Sequence, residues 1–181
     1  MIKVYDGDTL TLQNKSRVRL VGIDTPEINP KPQPFAQEAK QFLSDSCLGK
    51  DIYLSYEPGG DKTDHYGRIV AWVWVRVPTA EGGYLNVNEG LVAEGLASFY
   101  NPGTSAHQNQ NKMLALQKAA RLRKAGKWVD FQDSQVLKTR NGRCYHCDRG
   151  CTHLKRSKNL IPIKQSEALD KGLSACRGCH E

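Results

Sequence analysis

Five of the six cysteines crowd into one short stretch: Cys144, Cys147, Cys151, Cys176 and Cys179. No other feature restricts the fold so strongly. A segment of that size buries too little apolar surface to fold unaided and needs a staple. Thiols spaced as Cys144-x2-Cys147-x3-Cys151 and Cys176-x2-Cys179 suit a four-coordinate ion, and zinc is the natural occupant. A disulfide net is the rival in an oxidising compartment, but five thiols leave one unpaired. Cys176-Arg177-Gly178-Cys179-His180 also fits the c-type haem attachment pattern, a five-residue match that brings no helix or distal ligand with it. The sixth thiol stands apart. Ala36, Ala39, Leu43 and Cys47 recur at helical spacing, which places Cys47 in a core as a small hydrophobe.

The chain therefore divides. Residues 1–130 read as one medium domain, 131–142 as a polar linker and 143–181 as a small zinc-binding module. Lys and Arg number 26 against 19 Asp and Glu, a surplus that favours polyanionic partners. No stretch is long and apolar enough to span a membrane. Met1-Ile2-Lys3-Val4 runs directly into a strand pattern and lacks the apolar run of a signal peptide. This leaves the compartment open: secreted or periplasmic if an export segment precedes this chain, otherwise cytoplasmic. The expected state is a monomer.

Periodicity supplies the elements of the first domain. Ile2 and Val4 lead into Asp6-Gly7-Asp8, and Thr9 to Leu12 alternates beyond it, which predicts two strands around a turn. After Asn14-Lys15-Ser16 a third strand begins at Arg17. Pro30, Pro32 and Pro34 make residues 29–34 a loop. A helix is predicted over 35–48, closed by Gly49. Strands follow over 51–56 and 68–77, the second rich in Val, Ile and Trp. Helices are predicted over 85–99 and 105–124, separated by a break at Asn101-Pro102-Gly103, with Trp128 docking back on the core. Five short strands with about three helices interposed suggest an α+β domain built on a five-stranded β-barrel of the OB-fold type.

Charge in this domain gathers where the third strand stops. Pro26 has no N–H and restricts the residue before it, so regular pairing ends near Asp24-Thr25. Arg19 upstream, with Asp24 and Glu27 around the break, is either an ordinary charged loop or a site for charge chemistry. The surrounding motifs are Val4-Tyr5-Asp6-Gly7-Asp8-Thr9, Asp24-Thr25-Pro26-Glu27 and Asp64-His65-Tyr66-Gly67-Arg68. Asn88-Glu89-Gly90-Leu91-Val92 and Gly95-Leu96-Ala97 follow. In this order they resemble the thermonuclease (staphylococcal-nuclease-like) family over residues 1 to about 130.

The resemblance implies an OB-fold barrel with helices and calcium-dependent hydrolysis of DNA and RNA phosphodiesters to 3′-phosphate products. Carried onto this chain, it implies that Asp8, Asp24 and the Thr25 carbonyl bind calcium. Glu27 is then the general base or orients the attacking water, and Arg19 and Arg68 contact the phosphate. The residue types suit the task. An anionic phosphodiester repels a nucleophile, a hard cation with oxygen ligands neutralises it, and guanidinium stays protonated. Asp6 reads mainly as a turn residue and Asp64 as a loop carboxylate outside the active set. Tyr66 and Tyr100 stand where the family sets tyrosines against the bound nucleotide; packing at the barrel rim is the other reading. His65 departs from a position that is commonly basic in the family. A rival from another class is a non-catalytic nucleic-acid-binding module of the same fold. The intact acids and both arginines favour the enzyme.

The tail has its own resemblance. Cys147-Asp148-Arg149-Gly150-Cys151, with the later Cys176-x2-Cys179, resembles the zinc-binding module of the Ada DNA-repair protein. That resemblance implies Cys147, Cys151, Cys176 and Cys179 as zinc ligands, with Cys144 as the alternate; the rival set uses Cys144 and Cys147 as its first pair. Lys155-Arg156-Ser157-Lys158 makes the module basic, as a solvated face or as a second nucleic-acid contact.

Overall fold

Alternation of apolar and polar residues builds a meander at the start of the chain. β1 (Lys3–Val4), β2 (Thr9–Thr11) and β3 (Arg17–Leu20) pair antiparallel in sequence order, with Leu10 opposite Val18. Leu10, Val18 and Leu20 form the buried face. β3 stops before Gly22, whose φ of +75° kinks the chain, and β4 (Ile23–Asp24) resumes in a new direction. The kink turns Ile23 into the core, although simple alternation sets it opposite Val18 and Leu20. The structure is a computed structural model that describes residues 3–78, 82–101 and 107–179.

α1 (Ala36–Cys47) buries the predicted stripe of Ala36, Ala39, Leu43 and Cys47. Burial pushes the Cys47 thiol up to about 12, so it packs as a hydrophobe and is not a reactive thiol. Next come β5 (Ile52–Ser55) and β6 (Ile69–Val77), the strand rich in Val, Ile and Trp. β6 is the spine of the sheet: β3 runs parallel to its first residues, while β5 and β7 (Gly83–Asn86) pair with it antiparallel. The hydrogen-bonded order is β1-β2-β3-β6-β5, with β7 also on β6. No ladder among the described residues joins β1 to β5 or β7. The strands expected to close a five-stranded barrel instead form a six-stranded mixed sheet, with β4 paired separately to β8 (Ser98–Phe99).

Between β7 and β8 lies α2 (Val87–Ala93), capped by Asn86, whose side chain accepts from the Glu89 N–H at 3.1 Å. The helix predicted over 85–99 is therefore only its first half. Gly95 (φ +69°) turns the chain so that Ser98 and Phe99 pair with β4. Asn88, fully buried, locks α2 to the sheet: its Oδ1 accepts from Val73 N–H at 2.9 Å, and its Nδ2 donates to the Val21 carbonyl at 2.8 Å. α3 (Gln110–Leu122) covers the other side of α2. The predicted start of that helix at Ser105, the Pro102-Gly103 break and His180 lie outside the described residues.

Residues 131–142, expected as linker, contain a strand. β9 (Gln135–Thr139) is followed by β10 (Cys144–Tyr145), β11 (Leu160–Lys164), α4 (Gln165–Asp170) and β12 (Ser174–Ala175). β9 pairs antiparallel with β11 across five residues and buries Val136; β10 pairs parallel with β12. One core joins the two parts of the chain: Ala120 and Trp128 pack with Val136, Tyr145, Ala168 and Leu169. Trp128 docks, as expected, but largely against the tail. No helix among the described residues is long and apolar enough to cross a membrane.

Candidate active site and metal centre

Asp8 is the centre of the site. It sits on the turn before β2 and is almost wholly buried. Thr9 Oγ1 donates to its Oδ1 at 3.0 Å, and Thr25 Oγ1 to its Oδ2 at 3.1 Å. Gly7 permits that closeness, because a Cβ there would lie 2.8 Å from Thr25 Oγ1 and 2.7 Å from Ala39 Cβ. Arg19, on β3, reaches Asp8 Oδ2 at 3.2 Å and Asp24 Oδ1 at 3.6 Å through Nη2. Its guanidinium is aimed by two main-chain carbonyls, Leu20 at 2.8 Å and Ile23 at 2.9 Å. The kink at Gly22 brings both carbonyls to one fork. Arg68, directly before β6, joins by donating through Nη1 to Thr9 Oγ1 at 3.4 Å.

The structure thus gathers Asp8, Arg19, Asp24, Thr25 and Arg68 from four separated stretches. Glu27 lies three residues past Asp24 with its side chain exposed, its main chain tied to Gln33 by two hydrogen bonds of 2.9 Å. Tyr66 is 72% exposed, and Arg68 stacks over its ring at 5.3 Å. Tyr100 follows β8 and donates its N–H to the Gly22 carbonyl at 3.0 Å. Asp64, read as a loop carboxylate, is part of the site's support: its Oδ2 takes the Arg68 Nε–H at 2.7 Å and its Oδ1 the Arg68 N–H at 2.9 Å. The spacing of four before Arg68 was the available signal.

The acids strain one another. Burial, then the Asp8 carboxylate, raises Asp6 to about 6. Burial raises Asp24, with Arg19 opposing it. Burial, then Asp8 and Asp24, raises Glu27. Gathered carboxyls whose pKa values are raised by burial and by neighbouring carboxylates, with the Thr25 hydroxyl beside Asp8, are a donor set for a hard divalent cation. The Asp8 and Asp24 carboxylates, which share the Arg19 guanidinium, fit a hard divalent cation on that ground.

The family model described as "Staphylococcal nuclease homologue" matches residues 17–130. A thermonuclease of Staphylococcus hyicus is 32% identical over 136 residues, covering 71% of this chain and 73% of the relative. The chain belongs to the staphylococcal nuclease family. A micrococcal nuclease of Shigella flexneri is 30% identical over 148 residues, covering 77% of this chain and 78% of its own. An uncharacterized endonuclease of Escherichia coli is 32% identical over 134 residues, covering 72% and 76%. The family's domain is an OB-fold, so the mixed sheet and its helices are this chain's form of it.

The second centre lies in the tail, beyond the family match. His146, Cys151, Cys176 and Cys179 place one donor atom each within 4.8 Å of one another. Ligands of a tetrahedral zinc stand about 3.3–3.8 Å apart, and Cys151 and Cys176 Sγ atoms are 3.8 Å apart. His153 Nδ1 is 3.1 Å from Cys176 Sγ, the distance of a supporting hydrogen bond to a ligand. The cluster shares Cys151, Cys176 and Cys179 with the expected set and takes His146 where Cys147 was expected. Along β10 and the residues after it, Cys144 and His146 face the cluster, with Cys144 Sγ 3.6 Å from the His146 ring. Tyr145 turns into the shared core and Cys147 is exposed. Burial, then His153, lowers the His146 pKa, which keeps the ring in the neutral state that binds metal. The donor set and its burial fit zinc.

Proposed function

We propose that this chain is a calcium-dependent nuclease that hydrolyses DNA or RNA phosphodiesters by attack of water and leaves 3′-phosphate ends. One observation carries the reading: Asp8 collects Arg19, Thr25 and, through Thr9, Arg68 into a single network beside Asp24. A fold kept only for binding has no need to hold two guanidinium groups against a cluster of acids. Calcium at Asp8, Asp24 and the Thr25 carbonyl would supply Lewis-acid polarisation of the phosphoryl oxygen.

The rest falls to this chain's own groups. Glu27, whose pKa is raised by burial and then by Asp8 and Asp24, accepts the proton of the attacking water. The P–O5′ bond breaks, and the leaving oxygen takes its proton from solvent. Arg19 and Arg68 meet the charge that grows on the phosphoryl oxygens, and both are fixed before substrate arrives. Tyr66, exposed beside Arg68, offers a ring for a base or sugar. In this reading zinc in the tail is structural.

The test is hydrolysis of single-stranded DNA with calcium and then with EGTA, which removes calcium and spares zinc. The parent should cleave only with calcium, and Glu27→Gln should lower kcat by about 100-fold or more. Equal inertness of the calcium-bound parent and the variant sinks the enzyme reading and favours the binding module.

A further inference from the structure

A second recess lies away from the acids, between the outer face of β6 and β7 and the helices α2 and α3. It is an open cleft of about 310 Å³, lined among others by Trp74, Tyr84, Asn86, Glu89, Lys112 and Leu116. Alternation along β6 sends Val73 and Val75 into the core and Trp74 out through the opposite face, half-buried. Its cross-strand neighbours are Tyr53 of β5 and Asn86 of β7. Both rings of the cleft are fixed in advance. The Trp74 indole donates to Ser55 Oγ at 2.8 Å, and the exposed Tyr84 stands edge-on to Tyr53, centroids 5.1 Å apart.

Asn86 marks the cleft as a binding site. It is 4% exposed, and its Oδ1 is committed to the Glu89 N–H, the cap of α2. Its Nδ2 is buried and finds no acceptor among the described residues. Buried donors are nearly always paired, so an unpaired one on a cleft wall points to an acceptor that comes with a ligand. Glu89 offers the opposite polarity, its Oε2 held 2.6 Å from Lys112 Nζ, and the Lys112 side chain is exposed. Arg76, opposite Tyr84 across the strand pair, is exposed as well. Aromatic rings, a buried donor, a carboxylate and exposed cations together describe a nucleotide. Its base stacks on a ring, its Watson–Crick edge sets an acceptor beside a donor whichever base it is, and its phosphate takes a cation. We propose that this cleft binds a nucleotide. The base lies against Trp74 and Tyr84, Asn86 Nδ2 donates to a base acceptor, Glu89 accepts from a base N–H, and Lys112 meets the phosphate. Trp74 stands six residues past Arg68, roughly 20 Å along the strand, so this site is distinct from the acid cluster. A free mononucleotide and one nucleotide of a bound single strand share this chemistry.

The experiment is an NMR titration of the isotope-labelled, zinc-loaded full chain with calcium withheld. The probes are deoxyguanosine monophosphate, a short single-stranded DNA recovered intact afterwards, and an abasic strand of the same length. The Asn86 side-chain N–H and Trp74 indole N–H resonances should move with the mononucleotide, the DNA or both. The mononucleotide alone assigns the cleft to free nucleotides, and the DNA alone assigns it to a strand; either supports a nucleotide site. Trp74→Leu should weaken the binding seen at Asn86 about tenfold, the value of one stacked base. Asn86→Ser, which keeps a cap for α2, should weaken the binding seen at Trp74 about fivefold. Tyr84→Ala alters only an exposed ring and should weaken it severalfold, so the site stays testable if the other two variants disturb the fold. Lys112→Ala should shrink the salt slope of strand binding by about 0.7, the share of one phosphate. Lys50→Ala, an exposed cation outside the cleft, should change none of these. Stationary Asn86 and Trp74 resonances in ligand excess overturn the proposal. So does an abasic strand that moves them as far as the DNA, which leaves charge attraction alone. Resonances that move with protein concentration before any ligand is added give the cleft to a second copy of the chain. Cleavage is not read, so an enzyme inert with calcium bears on the nuclease reading and leaves this result standing.

Discussion

Arg68 enters the site already immobilised. Burial alone would raise Asp64, but hydrogen bonds from the Arg68 main chain and guanidinium overcome it and hold the carboxyl below its usual range. The pair is partly exposed, so its worth lies in geometry more than in stability. One Asp oxygen fixes the arginine's main chain and the other its Nε, which leaves the Nη groups to point at Thr9 and the space before Asp8. Asp64→Ala should lower kcat by about ten- to a hundredfold, the value of one charge-assisted hydrogen bond in the transition state. Asp64→Asn keeps an acceptor for the main-chain N–H groups of Tyr66 and Arg68 and should fall between the two. Kinetics on single-stranded DNA check this, and unchanged kcat in Asp64→Ala would show that Arg68 needs no such brace. That Asp8, Arg19, Asp24 and Arg68 come together was expected from the order of the motifs and the resemblance they carry, because the charges alone also fit an ordinary loop. Asp64 and His146 were not legible, since their roles come from what they touch. A carboxylate four residues from an arginine looks like a loop pair, and a histidine among five thiols looks redundant until the fold sets its ring among the donor atoms of Cys151, Cys176 and Cys179.

At the scale of elements, apolar spacing announced α1 and β6 faithfully, and it overran at α2. Val87, Leu91, Val92 and Leu96 share a face by number, yet the helix ends at Ala93 because two backbones meet there. Gly95 has φ +69°, and a Cβ on it would stand 2.2 Å from the Ala125 carbonyl oxygen. Gly126 faces it, and the Lys127 N–H donates to the Gly95 carbonyl at 2.9 Å. This crossing carries Lys127 to Ser98, where its Nζ donates to Oγ at 2.9 Å behind Asp24. Such a contact joins residues thirty apart and leaves no local trace beyond the glycines themselves. Gly95→Ala combines a strained φ with a backbone clash, and should cost about 3 kcal/mol or more. Gly49→Ala has a φ of +73° but nothing within 4 Å of its Cβ, so it should cost only about 1 kcal/mol. Urea melts with both metals present measure the difference as a shift in midpoint at constant slope. Equal midpoints for the two variants would mean that the crossing yields to the added methyl.

For the molecule as a whole, the tail was legible as a metal module and illegible as a docked one. Cysteine spacing speaks about the ion, and only a few apolar residues scattered through a polar stretch speak about docking. Val136 sits in what reads as linker, and Trp128 reads as belonging to the first domain alone. Together with Ala120, Tyr145, Ala168 and Leu169 they make one core, and Arg121 pairs with Asp170 across the same seam. Loss of the zinc should therefore not unravel a separate tail. It should loosen Tyr145 and Leu169 from Trp128 and lower the melting temperature of the nuclease domain in the same transition. His146→Ala removes a member of the donor cluster and should bring zinc below one per chain. If about 3 kcal/mol is lost with it, the single transition falls by roughly 10 °C. Cys147 is not among the four donors that lie within 4.8 Å of one another, so Cys147→Ser should keep zinc near one per chain. Zinc analysis beside calorimetry separates the two ligand sets directly, because the set with Cys147 requires the reverse order. A second, lower transition in His146→Ala would show that the tail melts alone, and the shared core would then be too weak to couple the ion to the nuclease fold.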